Sequence, residues 1–394
     1  MKSSDDHPPL LIWVTPNDLR TTLDAATFLD TANELRKLGW NVTLISGSPA
    51  GTQQVRCITV ESIPSPDIYF LGQHIFHQQA LKFIKKQHPP ADVVLFHQVS
   101  GFWMLKLRLW RNLHRHSRPL IVLDTRSVYM PDKSTRRQIK GILRELYLNI
   151  ITRLANRWTD GQTAITQRIT ESIHIPPEKL WGFWPSGVNL DRFAPAAVDR
   201  QWPGPNGTLE IIYIGSTHNE RNLLTLAKAV VQAVEKGMNY HLTIIGSGAQ
   251  QEELKAFASI HPAILSVHDA VPHEDIPHWL AKAHLGALPF PDEEKFRVSS
   301  PIKLFEYMAA GLPVFATRIA CHTDVMHDQP YALYAEGADS ASLLAALEKI
   351  WLTRDALPGL SQHAIQAAAQ WSWAEAARHL KSALEYGMQL SARP

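Results

Sequence analysis

The sequence predicts an α/β protein built from two Rossmann-like, doubly wound domains that face a cleft. Strand-like apolar runs alternate with helical stretches in both halves, which is the pattern of parallel sheets wrapped by helices. At 394 residues the chain exceeds one ordinary core and points to about two domains. A loop rich in Pro and Gly, FAPAAVDRQWPGPNG, separates the two runs of the pattern.

In the first half LLIWVT reads as a strand, LDAATFLDTANELRKLG as a helix and NVTLIS as the next strand. ADVVLFH and PLIVLD are later strands, STRRQIKGILRELYLNIITRLANRW is a long basic helix, and GQTAIT is one more short strand. In the second half LEIIYIG, YHLTIIGSG, AILSVH, LGALPF and LPVFAT are strands, with helices over NLLTLAKAVVQAVEKG, QEELKAFASI and EDIPHWLAKA. The tail, WSWAEAARHLKSALEYGMQL, is helical. The expected division is residues 1–187, residues 188–375, and a C-terminal helix over 376–394 that packs back on the first domain. No short-period repeat or low-complexity tract interrupts it. Ligands of parallel sheets bind beyond the carboxyl ends of the strands, so chemistry is expected between the domains.

The stretch SSPIKLFEYMAAGLPVFAT, residues 299–317, is the most informative. Ser300 is placed to cap a helix and Pro301 to fill its first position. Ile302, Phe305, Met308 and Ala309 recur at helical spacing, and Gly311 and Pro313 end the element before a buried strand. Lys303 and Glu306 share a face that runs into Ala309, Ala310 and Gly311, where a ligand has room to approach. By spacing alone the pair reads equally well as an exposed ion pair.

Composition narrows the function classes. The chain is 45% apolar and 19% charged, as globular proteins are. It shows no run of roughly 18 apolar residues and no basic-then-apolar leader, so the expected address is cytoplasmic. Cys57 and Cys321 match no metal or redox motif, and the nineteen His form no H-x-x-x-H or H-E-x-x-H cluster, so no metal is expected. The net charge of +2 hides a basic block. Between Gly101 and Arg157 thirteen Lys or Arg face only Asp124, Asp132 and Glu145. That block, with Arg136, Arg137 and Lys140 at its centre, reads as a solvated face, as a nucleic-acid surface lacking the usual motif, or as a peripheral contact with anionic lipid. His97 and Asp124 end apolar strands and are candidates to hold an acceptor or take its proton. Arg126 would flank a leaving phosphate or pair with Asp124. GSG at Gly246–Gly248 lacks the third glycine and the acid of a dinucleotide fingerprint and reads as a strand-to-helix turn.

SSPIKLFEYMAAGLPVFAT, taken with YIGSTHNERNLLTLAKA, IIGSGAQQEEL and PSGVNLDRFAP, resembles the nucleotide-sugar half of B-type glycosyltransferases, the glycosyl transferases group 1 of family 4, from about Pro185 to Trp373. The first half resembles the acceptor domain in layout only, through LRKLGWNVTLIS and ANRWTDGQTAITQRI. The resemblance implies a GT-B fold and a hexosyltransferase (EC 2.4) that moves a sugar from a nucleotide diphosphate sugar to a glycan or lipid-linked acceptor. It implies no cofactor and no metal, and it is compatible with a role in polysaccharide or cell-envelope synthesis at the inner face of a membrane. Glu306 would accept hydrogen bonds from the ribose hydroxyls. The turn Gly215, Ser216 and Thr217, with Arg221 and the helix start Ser299, Ser300, Ile302 and Lys303, would hold the diphosphate. Two positions depart from the family. Ser216 stands where many members carry Arg, which shifts charge to Lys303, and Val298 stands where many carry an acid, with Glu293 and Glu294 out of register. A nucleotide-sugar-binding protein without turnover and a GT-B-fold epimerase are the alternatives.

Overall fold

The computed structural model describes residues 7–20, 22, 24–47, 51–55, 58–64, 69–127, 139–198, 200–204 and 206–392. Its contacts divide the chain into two compact units, Met1–Gly187 with Trp373–Pro394, and Val188–Ser372. Arg136, Arg137 and Cys57 lie outside the described residues, and of Lys140 only the backbone is described.

The first unit runs β1 (Leu10–Thr15), α1 (Ala25–Lys37), β2 (Asn41–Ser46), β3 (Gly51–Val55), β4 (Ile58–Ser62), α2 (Tyr69–Lys85), β5 (Val93–His97), α3 (Gly101–Leu113), β6 (Leu120–Thr125), α4 (Ile139–Trp158), β7 (Gly161–Ala164), α5 (Gln167–Ser172) and β8 (Leu180–Phe183). Its sheet has the order β3-β4-β2-β1-β5-β6-β7-β8, and its neighbours are parallel except for β3 against β4. The central strands are continuous apolar runs because helices cover both faces. Ile12, Val14, Val94, Phe96, Ile121 and Leu123 form the core on one of them.

The second unit runs α6 (Leu190–Phe193), β9 (Leu209–Ser216), α7 (Leu223–Glu235), β10 (Tyr240–Ser247), α8 (Gln251–Ile260), β11 (Leu265–Asp269), α9 (Ile276–Ala281), β12 (Leu285–Leu288), α10 (Glu294–Arg297), α11 (Ile302–Ala309), β13 (Val314–Thr317), α12 (Ala320–Met326), β14 (Ala332–Ala335), α13 (Ser340–Leu352) and α14 (Leu357–Ala368). The sheet is all parallel in the order β11-β10-β9-β12-β13-β14. Strand order reverses between β9 and β12, and such a switch point leaves a crevice beyond the strand ends. Tyr307 of α11 forces the crevice open. β9 and β12 pair only at Leu285 with Ile211 and Gly286 with Ile212. Beyond them the Ile214 N–H donates to the Tyr307 hydroxyl at 3.0 Å, and a Cβ at Gly286 would collide with the Tyr307 ring.

The last helix, α15 (Trp373–Ser391), belongs to the first unit and packs on α1 and β8. Small residues permit this. Gly161 and Gly387 both lie against the Trp181 ring, where any side chain would collide. Among the described residues no helix is long and apolar enough to cross a membrane. One sequence expectation is corrected here: α11 begins at Ile302, and Ser300 does not cap it. Pro301 takes the capping position with an extended ψ of 110° and no side-chain cap hydrogen bond, so the first turn closes only after it.

Candidate functional site

In the second unit the sequence-predicted residues gather at the carboxyl ends of β9 and β12. Gly215 has φ +145°, a conformation that side chains rarely tolerate, and a Cβ there would collide with Lys303 Cε. The Lys303 side chain is therefore laid across the bare backbone of the β9 turn, with its ammonium beside it. Gly246 of β10 closes the other side, since a Cβ there would strike the Gly215 carbonyl. The Ser216 hydroxyl is buried beside this turn and has no hydrogen-bond partner among the described residues. Arg221, in the short turn before α7, has its guanidinium carbon 5.1 Å from both the Phe290 and Phe296 ring centres. Those rings are stacked on each other at 4.9 Å. The buried Arg221 Nε also lacks a partner among the described residues. Both atoms are buried polar groups left open beside the β9 turn, where they are able to meet an anion or a hydroxylated ligand.

Glu306 on α11 is 5% exposed, and its Oε1 is held by His273. His273 Nε2 lies 2.9 Å from Glu306 Oε1, and Arg192 donates to His273 Nδ1 at 2.8 Å. A guanidinium can only donate, so Nδ1 carries no proton and Nε2–H donates to the carboxylate. The chain Arg192, His273, Glu306 thus fixes both the tautomer and the carboxylate orientation, leaving Glu306 Oε2 outside this chain. Beyond Glu306, Arg200 donates to the Ala310 and Gly311 carbonyls at 2.8 Å each and secures the end of α11.

Other predicted residues take structural parts. Thr217 is fully buried, and its hydroxyl donates to Gln251 Oε1 at 2.7 Å. Its N–H donates to the Ser247 carbonyl and its carbonyl accepts from the Gln250 N–H, which locks the turn. Ser299 spends its hydroxyl proton on the Phe296 carbonyl at 2.8 Å and closes α10. Val298 is buried, while Glu293 is turned to Lys295 at 3.0 Å, which also holds Glu220 at 2.9 Å. Burial pushes the Cys321 thiol up to about 12 against the opposing Ser299 hydrogen bond, so it is inert.

In the first unit His97 of β5 pairs in register with Asp124 of β6. Asp124 is 2% exposed, and one oxygen accepts from Thr163 Oγ1 at 2.7 Å and Trp184 Nε1 at 2.8 Å. Burial raises its carboxyl, and Arg126 and these two hydrogen bonds oppose the rise. Through that oxygen Asp124 anchors the Trp184 ring. Arg126 lies 3.6 Å over that ring and donates to Trp184 O and Ser186 Oγ at 3.3 Å each. Burial lowers Arg126 to about 10, although Asp124 works the other way. Burial and the Arg126 charge push His97 down to about 4, which leaves a neutral imidazole at the strand end. Among the described residues no three His, Cys, Asp or Glu are placed to hold a metal ion. Sequence reasoning missed His273 and Arg192 because neither stands in a spacing motif, although Arg192 lies inside PSGVNLDRFAP.

Residues 208–352 match the family model described as glycosyl transferases group 1. Over 89 residues the chain is 30% identical to TuaH of Bacillus subtilis (strain 168), described as a teichuronic acid biosynthesis glycosyltransferase, covering 23% of this chain and 22% of that one. Over 175 residues it is 27% identical to the D-inositol 3-phosphate glycosyltransferase of Arthrobacter sp. (strain FB24), covering 41% and 40%. The chain therefore spans less than half the length of these relatives. The catalytic domain of starch synthase IV from Arabidopsis thaliana, bound to ADP and acarbose, superposes with a TM-score of 0.76 at 11% identity over 97% of this chain and 100% of that one. Residues 208–352 are thus a glycosyl transferases group 1 domain, in a chain whose fold is that of the GT-B glycosyltransferases.

Proposed function

We propose that the protein is a glycosyltransferase that moves a sugar from a nucleoside diphosphate sugar to a glycan or lipid-linked acceptor of the cell envelope. One observation carries this reading. A buried carboxylate, oriented by His273, stands three residues along α11 from a lysine laid on the β9 glycine turn. That spacing suits the ribose diol and diphosphate of one nucleotide. Glu306 accepts from the ribose hydroxyls, and hydrogen bonds to a charged group contribute about 1.5–3 kcal/mol. Lys303, Arg221 and the backbone at the turn stabilise the diphosphate as it leaves, where most charge develops. In the first unit, His97 holds the acceptor hydroxyl or takes its proton, being neutral at pH 7. Arg126 supplies a fixed cation at the same strand ends. One relative's description, teichuronic acid biosynthesis, supports a glycan acceptor, and the other's, D-inositol 3-phosphate glycosylation, supports a small phosphorylated polyol. The basic block between Gly101 and Arg157, thirteen Lys or Arg against three acids, supports work at an anionic membrane face.

The test is a thermal-shift titration with UDP, GDP and ADP, followed by release of nucleoside diphosphate from the matching sugar with and without acceptor. At about 100 times its dissociation constant a bound nucleotide adds roughly 2.7 kcal/mol. Arg221→Ala should weaken binding of the diphosphate far more than of the nucleoside, and equal losses would sink its phosphate role. Val298, buried and apolar at the position where the family resemblance leads one to expect an acid, favours a second reading as a binder without turnover. Binding without release in any acceptor mixture would establish that one.

A further inference from the structure

On the first unit, away from the strand ends, α2 and α3 enclose a pocket of about 350 Å³ lined by Gln78, Leu81, Lys82, Lys85, Lys86 and Lys106. Neither helix contains an Asp or Glu. The two arginines of α3 are accounted for differently: Arg108 and Arg111 both bind Asp160, Arg111 at 2.6 Å. No carboxylate among the described residues pairs with any of the four lysines. Lys106 and Lys85 instead lie over indole rings, 4.9 Å from Trp103 and 5.3 Å from Trp110. Burial and the nearby Lys106 charge push Lys85 below its ordinary range, so like charges are held together without a counter-ion.

The outer stripe of α3 decides what kind of anion fits. Phe102, Lys106, Leu109 and Leu113 follow one another at spacings of four, three and four. Phe102 is 47% exposed, Leu109 61% and Leu113 80%. A soluble phosphate uses the lysines and leaves those apolar side chains in water. A phospholipid surface uses both, with indoles at the boundary.

We propose that the α2–α3 pocket is a seat for the headgroup phosphate of an anionic phospholipid, with Leu109 and Leu113 entering the acyl layer. The inference deepens the membrane-face part of the proposed function and rests on it. It extends the contact from the start of the basic block, which holds Lys106, Leu109 and Leu113, to a pocket built mainly by α2.

The full chain is mixed with phosphatidylglycerol or phosphatidylcholine vesicles, sedimented across a salt series, and compared with Lys82→Glu/Lys106→Glu, Leu109→Ser/Leu113→Ser and Arg153→Glu/Arg157→Glu. Nucleoside diphosphate binding and the unfolding midpoint are measured on each. The expected result is salt-sensitive binding to phosphatidylglycerol alone, weakened about thirtyfold by the lysine reversals. The serine pair should weaken it too, and the α4 reversals much less. Nucleotide binding unchanged throughout keeps this outcome apart from any failure of the glycosyltransferase reading. Wild-type vesicle binding by the lysine variant, with loss in the α4 variant, overturns the pocket and keeps the membrane face. No vesicle binding at low salt overturns both. Equally tight lysine-dependent binding of free glycerol phosphate, indifferent to the leucines, makes the ligand a soluble phosphate and overturns the lipid.

Discussion

At Glu306 a carboxylate that ought to resist burial is held by one neutral imidazole, itself oriented by a guanidinium. The arrangement fixes the direction of Oε1 and leaves Oε2 outside the chain of hydrogen bonds. Glu306→Gln keeps the shape and removes the charge, so nucleotide affinity should fall by about 1–3 kcal/mol while the unfolding midpoint holds. Calorimetry showing wild-type affinity would remove the ribose role. Glu306 and Lys303 were legible because they sit in one short string. His273 was not, since it reaches Glu306 across 33 residues and Arg192 across 81. Nor could the sequence tell that Thr217 turns inward, because the direction of its hydroxyl depends on Gln251 in another helix.

The elements around this residue work by close approach. The β9 turn accepts Lys303 because Gly215 has no side chain, and β9 parts from β12 because Tyr307 takes the next N–H. Gly215→Ala combines a strained φ with a collision against the lysine stem, so it should displace Lys303. Nucleoside diphosphate binding should then drop at least about tenfold, an interaction of the size of one charged hydrogen bond, while bare nucleoside binding changes little. Equal affinity for the diphosphate would show that Lys303 does not reach it. Central strands and α11 were readable from apolar runs and helix punctuation. β3 and β4, GTQQV and ITVES, were not, since a polar edge hairpin carries little apolar signal. β8, LWGF, was missed because four residues with a glycine look like a loop until Trp181 is seen against Gly161.

Across the whole molecule each unit buries a neutral histidine in its core. His77 bonds Gln73 O and Ser100 Oγ, and His322 bonds Thr317 O. Burial pushes both down from 6.5 to about 4. The unfolded chain therefore binds these protons first as pH falls. Their contribution to stability is complete above about pH 6.5 and is lost as pH drops toward 4, about 3 kcal/mol for each. Burial of Asp124 acts in the opposite sense, since its raised carboxyl favours the fold at low pH. Denaturant titrations at pH 7 and 4.5 should show a clear loss at the lower value, and a flat profile would mean that both rings already carry a proton when folded.

The second unit also begins and ends at one place. The Val188 N–H donates to the Trp371 carbonyl at 2.9 Å, and Val188 bridges Ser372. The segment is an excursion in the chain, stitched shut at its neck, so the rest of the protein does not need to hold its ends together. Such a cassette can be excised: residues 188–372 expressed alone should fold and shift in melting with nucleoside diphosphate. A short linker from Gly187 to Trp373 should likewise leave the first sheet intact with α15 upon it. By the same token the neck makes the cassette exchangeable, so a lineage could replace the second unit whole, by recombination at two adjacent points, without rebuilding the first.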